Sequence, residues 1–360
     1  MTRSDLERRD RMNEFQGQKC LVIGGAGFVG SNLVRLLLNG GCLAVTVVDN
    51  LLSAERGDIL DDPHVTFMQG SIADDVILNA LGDEFDYVFH LATYHGNQSS
   101  IANPLDDHAN NLVTTLKLYE WIKNFNCLKK VVYAASGCTL APHTYNHAQA
   151  TTEDGPVPFE LDSPYQISKV VGEFYSVYYH HQHKLPTVRA RFQNVYGPGE
   201  ILGAGRWRGT AATVWRNVTP TFIYRALKQL PLKVENQGLA SRDFIYVEDI
   251  ARGLMRCATA GKPGDVYNLA SGAETSILEL ATLINTLTEN PSNIEFLPAR
   301  TWDRSGKRFG SPEKAKREIG FEARVSLKEG LSQTIEWTRD NLSMIDLCIK
   351  KHESHMKMLA

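Results

Sequence analysis

The short apolar run Cys20-Leu21-Val22-Ile23 passes straight into Gly24-Gly25-Ala26-Gly27-Phe28-Val29-Gly30 and then into the amphipathic stretch Ser31–Leu38. Strand, glycine-rich turn and helix in that order leave few folds open. Glycines permit the tight turn, let backbone approach a pyrophosphate and let helix pack on strand, while the helix start offers free N–H groups and the positive end of its dipole. A second β-branched run ends in Val47-Val48-Asp49, about 20 residues beyond the last glycine, where a carboxylate meets ribose hydroxyls and repels a 2′-phosphate. Gly24, Gly27, Phe28, Val29, Gly30, Asp49 and Asn50 are therefore predicted to hold NAD rather than NADP. Ser71, Ile72, Leu91 and Ala92, at the ends of the next two predicted strands, complete the expected cofactor wall.

Further β-branched runs recur at Val65–Met68, Tyr87–Leu91, Val131–Ala134 and Thr187–Arg191, with helix-like stretches between them. Alternation of this kind predicts right-handed crossovers and an α/β fold, a Rossmann-type doubly wound parallel sheet. The expected organisation is a polar tail over residues 1–17 and an NAD-binding domain over 18–196, rejoined by 241–272. A smaller C-terminal α/β cap over 197–240 and 273–345 follows, with helices at Pro220–Leu230, Ile277–Leu287 and Leu327–Asp340, and a tail over 346–360 read as a solvated helix or a frayed end. Gly203-Ala204-Gly205-Arg206-Trp207-Arg208-Gly209 reads as a loop on the substrate side rather than core.

Composition narrows the class of partner. Lys and Arg number 38 against 41 Asp and Glu, a formal net charge of −3, which offers no electrostatic footprint for nucleic acid or an anionic membrane. No apolar run reaches the ~18–20 residues of a membrane span. The charged start Met1-Thr2-Arg3-Ser4-Asp5 lacks a signal-peptide core, so the expected location is cytoplasmic. Six separated cysteines without a CxxC pair suit reduced thiols and give no metal site.

The fifth strand ends in Ala134-Ala135-Ser136, and Tyr165-Gln166-Ile167-Ser168-Lys169 opens a strongly helical segment. Residues four apart share a helix face, so the Lys169 ammonium can favour the Tyr165 phenolate. Tyr165 would then take a proton from a substrate hydroxyl while nicotinamide takes the hydride from the same carbon, with Ser136 bonding to the developing carbonyl oxygen.

With these residues in view, the chain resembles an extended short-chain dehydrogenase/reductase of the nucleotide-sugar epimerase/dehydratase family over roughly residues 18–340. The matching stretches are the glycine loop, Val88-Phe89-His90-Leu91-Ala92, the Tyr165/Lys169 pair, Arg191-Phe192-Gln193-Asn194-Val195-Tyr196-Gly197-Pro198, Asn217-Val218-Thr219-Pro220 and Ser241-Arg242-Asp243-Phe244. The resemblance implies that Asn194 and Asn217 line a sugar site and that Arg242, with Arg308, binds a nucleotide diphosphate. It also implies a homodimer formed through helices near Pro104–Phe125 and Ser163–His181, the second rich in Phe174, Tyr175, Tyr178 and Tyr179.

Three departures stand out. Gly70-Ser71 replaces the usual Gly-Asp that meets adenine. The loop Thr93-Tyr94-His95-Gly96-Asn97 is unusually polar and aromatic, making Tyr94 and His95 substrate-side candidates, with His95 either a second acid/base or a hydrogen-bonded spacer. Cys138 stands where related dehydratases carry a glutamate and GDP-mannose 3,5-epimerases a cysteine, and it reads either as an acid/base at a ring carbon or as a packed thiol.

The resulting expectation is an NAD-dependent nucleotide-sugar epimerase acting at C4 through a transient 4-keto sugar, in surface-polysaccharide or sugar-precursor biosynthesis. The alternatives are a 3- or 5-epimerase or dehydratase using Cys138, a uronic-acid decarboxylase, and a catalytically silent cofactor-sensing scaffold on the same fold.

Overall fold

The computed structural model describes residues 14–140 and 144–358; the side chains of Asp58 and Cys138 lie outside that description. The chain begins with β1 (Lys19–Ile23), β2 (Ala44–Asp49), β3 (Val65–Gln69), β4 (Tyr87–His90), β5 (Lys130–Ser136) and β6 (Thr187–Phe192). Short strands β7 (Asn194–Tyr196), β8 (Leu232–Glu235), β9 (Ser241–Arg242), β10 (Phe244–Tyr246), β11 (Val266–Leu269), β12 (Thr275–Ser276) and β13 (Ile294–Leu297) follow. The first six and β11 form one parallel sheet in the order β11-β6-β5-β4-β1-β2-β3. The strand order reverses between β1 and β4, and a crevice outside the strand ends at such a reversal is where ligands bind in open sheets of this kind.

Successive side chains of β1 serve the two covered faces of the sheet. Cys20 and Val22 pack with Leu33 and Leu37 of helix α1 (Phe28–Asn39), whereas Leu21 and Ile23 pack with Leu118 and Ile122 of α2 (Thr114–Ile122). Tyr179 of α3 (Pro164–His183) joins the second layer. A separate core gathers Phe222 and Ile223 of α4 (Val218–Leu227) with Leu232 and Val234 of β8. The chain then returns to the sheet through α5 (Val247–Ala260), whose Ile250 and Leu254 belong to the same layer as α1. Leu280 and Ile284 of α6 (Ile277–Thr288) and Leu331 of α7 (Leu327–Asp340) close the second core. Ser276 and Glu279 cap α6 reciprocally, which fixes where that helix starts.

Both predicted tails are shorter than expected. Residues 1–13 lie outside the described residues, but Phe15 is fully buried, its ring centroid 5.0 Å from that of Tyr87, and Glu14 pairs with Arg256. At the other end α8 (Leu342–Lys350) is a packed helix, and the short α9 (Glu353–Met358) buries no residue of its own. Ile345 and Cys348 cover Ile201, Leu202 and Ala204, and His352, 4% exposed, meets the Gly203 carbonyl at 3.0 Å. Trp207 lies against His355 with ring centroids 4.9 Å apart. The physical reason is the apolar Ile201–Ala204 segment, to whose cover by Trp215, Tyr224 and Trp337 α8 adds Ile345 and Cys348. The aromatic side of α3 also divides: Phe174 and Tyr178 are exposed, whereas Tyr179 is buried with its hydroxyl donating to Glu120.

Candidate active site

A cleft of about 800 Å³ runs along the C-terminal ends of β1, β2, β4 and β5 and continues between the sheet and the second core. Its floor is the glycine turn. Gly24 has φ of +84°, and a Cβ there would lie 2.6 Å from the Ala92 nitrogen; at Gly30 it would lie 2.2 Å from the Gly24 carbonyl. Only glycine fits both positions. α1 starts at this turn with no acidic residue in its first turn, so the positive end of its dipole faces the cleft uncancelled. Asp49 lines the same wall, where its carboxylate accepts the Ala26 N–H at 3.1 Å and the Leu51 N–H at 2.8 Å; burial raises its pKa. Gly27, Phe28, Val29, Asn50, Ser71, Ile72, Leu91 and Ala92 all contribute to the wall, and the Ser71 hydroxyl is turned toward the Ala73 N–H at 3.1 Å. A close-fitting backbone cradle, a helix start and a carboxylate at the second strand end fit a dinucleotide.

Tyr165 sits in the first turn of α3 because Ser163 caps that helix and Pro164 occupies its first position. Lys169 follows one turn later, 4% exposed, its Nζ 5.9 Å from the centre of the Tyr165 ring. The ammonium donates to the Ala134 carbonyl at 2.9 Å, which ties it to β5 just before Ser136. Ser136, Tyr165 and Lys169 all face the cleft. Cys138 belongs to the short helical turn Gly137–Thr139 after β5, and its thiol lies outside the described residues. A Cβ on the adjoining Gly137 would lie 2.2 Å from the Gln193 side-chain nitrogen, so Gln193 fills the space a side chain at 137 would take.

Asn194, Asn217, Arg242 and Arg308 also line the cleft. Asn217 donates its amide to Glu200, and Arg242 is held by the Gly306 carbonyl, Ser305 and Asp303. Asp243 fixes the turn behind Arg242 by accepting from Ser271, Gly272 and Gly310. Tyr94 departs from expectation. It is 2% exposed and absent from the cleft wall, because its N–H is drawn inward to the Asn111 side chain at 2.6 Å. His95 does line the cleft, its ring centroid 6.0 Å from that of Tyr165. Burial, then the Arg208, Arg216 and Lys169 charges, push its pKa down to about 3, so it works as a neutral group.

Two groups escaped the sequence reading. Asn111 lies in a π-helical turn (Ala109–Val113), accepting from Thr93 and Tyr94 and donating to Asp107 and to Ser168 of α3. It thereby links the loop after β4 to the helix carrying Tyr165; burial raises Asp107 to about 6. Glu200, 5% exposed and on the cleft wall, is raised to about 7, chiefly by burial. The only hint of Asn111 was the Asn110-Asn111 pair in a stretch otherwise spaced as an apolar helix, and of Glu200 its place after Gly197-Pro198-Gly199.

The fold and this cleft define an NAD-binding Rossmann enzyme with Ser136, Tyr165 and Lys169 on the cleft wall. The sequence matches the NAD dependent epimerase/dehydratase family over residues 20–270, and the chain belongs to that family. The WbmF enzyme of Bordetella bronchiseptica, solved with NAD+ and UDP, is 60% identical, covers 96% of this chain and 99% of its own, and superposes with a TM-score of 0.86. UDP-glucose 4-epimerase of Mycolicibacterium smegmatis is 32% identical over 89% of this chain and 99% of its own length. UDP-glucuronic acid decarboxylase 2 of Arabidopsis thaliana is 32% identical over 88% of this chain and 67% of its own. NAD is thus the cofactor, as fold, cradle and relatives agree. Among the described residues, no helix is long and apolar enough to cross a membrane.

Proposed function

We propose that the protein is a UDP-sugar 4-epimerase of the cytoplasm, working through a transient 4-keto sugar. The observation that carries this reading is the convergence of Ser136, Tyr165 and Lys169 at the mouth of the dinucleotide cradle, in a cleft that runs on to Asn217 and Arg242. Bound NAD supplies the acceptor, and afterwards the donor, of the C4 hydride. Lys169, anchored on the Ala134 carbonyl, stabilises the Tyr165 phenolate, which removes the proton of the C4 hydroxyl. Ser136 donates to the oxygen as it becomes a carbonyl. Arg242 and Arg308 hold the diphosphate while the sugar ring turns its other face, and Tyr165 then returns the proton. Gln193 filling the space beside Gly137 favours epimerisation over a dehydration that needs an acid pair after Ser136.

Exposed Ile167, Phe174 and Tyr178 on α3, together with Leu105 on the neighbouring short helix, support a homodimer through that face. Dimer-sized elution at micromolar concentration checks it, and monomer-sized elution rejects it.

Turnover of UDP-sugars in heavy water tests the reaction. The expected product is the C4 epimer with no carbon-bound deuterium. Deuterium at C3 or C5, lost in Cys138→Ala but kept in Cys127→Ala, would replace this reading by a proton exchange at the thiol.

A further inference from the structure

Between the turn that carries Ser136 and the segment that carries Arg308 stands a side chain to which the reaction above gives no contact with the sugar. Parallel pairing of β5 with β6 sets Ser136 level with Phe192, so Gln193 lies one residue past the end of β6, beside Gly137. Adjacent strands run ~4.8 Å apart, a span that one sugar ring covers. Gln193 is half-buried and lines the cleft with Phe192 and Asn194.

Two glycines form its seat. The three atoms nearest to a Cβ built on Gly137 are the nitrogen, carbon and oxygen of the Gln193 amide, at 2.2, 2.7 and 2.8 Å. A Cβ built on Gly310 would lie 2.5 Å from the same nitrogen and 2.9 Å from the Ala270 Cβ. Neither glycine has its φ in the left-handed region, so backbone conformation does not call for glycine at either position. What the missing side chains provide is room for the amide. Packing fixes the group, yet the protein leaves its polar atoms unused: the amide has no hydrogen-bond partner among the described residues, although it offers two donors and an acceptor. By contrast, the Asn217 amide on the same wall is tied to Glu200, and that of Asn111 to Asp107 and Ser168. A wedged polar group that faces a cleft without a protein partner is preorganised for a ligand.

The position of the wedge says what that ligand group is. In the reading above, C4 meets Ser136 and Tyr165 while the diphosphate on C1 meets Arg242 and Arg308, and C1 and C4 are opposite corners of the sugar ring. Gly137 follows Ser136 by one residue and Gly310 follows Arg308 by two, so the ring edge between the two corners passes the amide held between those glycines. We propose that Gln193 is a specificity-determining residue whose amide, seated between Gly137 and Gly310, hydrogen-bonds a sugar hydroxyl other than the reacting 4-hydroxyl. This rests on the nucleotide-sugar reading and adds to it a group that selects the sugar.

The test is calorimetry of UDP, UDP-glucose and its 2-, 3- and 6-deoxy analogues on NAD-loaded Tyr165→Phe, in which turnover is suppressed. Adding Gln193→Met, which keeps the length of the side chain and removes its donors and acceptor, is expected to weaken UDP-glucose about tenfold, with UDP affinity and NAD content within about twofold. For the analogue that lacks the bound hydroxyl, the same substitution should cost less than about twofold. Gly137→Ala, whose methyl takes the space of the amide, should weaken UDP-glucose in the same direction. UDP-glucose affinity unchanged by Gln193→Met overturns the inference and leaves the nucleotide-sugar reading standing. So does a loss that is equal for UDP-glucose and every analogue, or one shared by UDP, since either makes Gln193 a packing wedge alone. Failure of UDP and of UDP-glucose to bind the wild-type holoenzyme overturns the reading and the inference together.

Discussion

The two ends of the cleft are built by different means. At the cofactor end every group follows directly from a strand: the glycine turn from β1, Asp49 from β2, Leu91 and Ala92 from β4, Ser136 from β5. At the sugar end the wall comes from residues 200–217, stitched by Arg208 and Arg216 to Ser53 and covered by α8 and α9. The first end is held by parallel-sheet geometry and needs few polar side chains of its own. The second is a network of buried charged groups, in which Glu200 Oε2 and Arg208 Nε and Nη2 have no partner among the described residues. Strand ends make a rigid platform for a constant ligand, and a loop-built wall is where a family can change its sugar without disturbing the nucleotide.

The two ends of the cleft meet at Tyr165. Tyr165→Phe should cut kcat by about three orders of magnitude, roughly 4 kcal/mol of transition-state stabilisation, while NAD content and UDP-sugar affinity stay near wild type. Retention of more than about a tenth of kcat, under ~1.4 kcal/mol, would end the assignment of Tyr165 as the base.

A smaller effect tests whether the sugar-end network is electrostatically strained. Glu200 is raised from 4.5 to about 7 in the folded protein, so the stability it contributes is complete below about pH 4.5 and is lost as pH rises through 7. That difference corresponds to about 3 kcal/mol. Glu200→Gln, which cannot ionise, should therefore gain stability relative to wild type as pH rises from about 4.5 to about 7 and keep that gain at higher pH, in denaturant titrations. Parallel pH profiles for the two proteins would show that Glu200 is not held neutral by the fold.

The cofactor end offers a more modest test. Asp49→Ala should reduce the preference for NAD over NADP by about tenfold, roughly 1.4 kcal/mol, measured as competitive loading of the apoprotein. An unchanged preference would shift cofactor choice to another group. Smallest of all, His352→Ala should lower stability by about 1 kcal/mol and raise KM for the nucleotide sugar with NAD content unaltered, because His352 holds the Gly203 carbonyl of the loop behind the sugar end. Loss of NAD from that variant would mean the two ends are not independent.

The same division decides how much of the molecule could be read in advance. The glycine turn, Asp49 and the Tyr165/Lys169 pair were legible because each is a local pattern: strand then helix, strand then carboxylate, four residues on one helix. Glu200 and Asn111 were not, since their roles depend on neighbours far away in sequence, such as Asn217 for Glu200 and Ser168 for Asn111. Tyr94 was misread for a related reason. An aromatic in a polar loop looks available to a ligand until a distant amide, here Asn111, pulls its backbone inward. The C-terminal segment carried charges and histidines that suit solvent, and only the apolar Ile201–Ala204 stretch beneath it explains why it packs.

The seat of His352 against Gly203 also orders events during synthesis. A chain emerging N-terminus first presents the glycine turn, Asp49, Ser136, Tyr165 and Lys169 long before the sugar-end loop acquires its cover. β11 completes the sheet by residue 269, while Ile345, Cys348 and His352 arrive some 75 residues or more afterwards. The dinucleotide cradle thus emerges before the residues that cover the substrate-side loop.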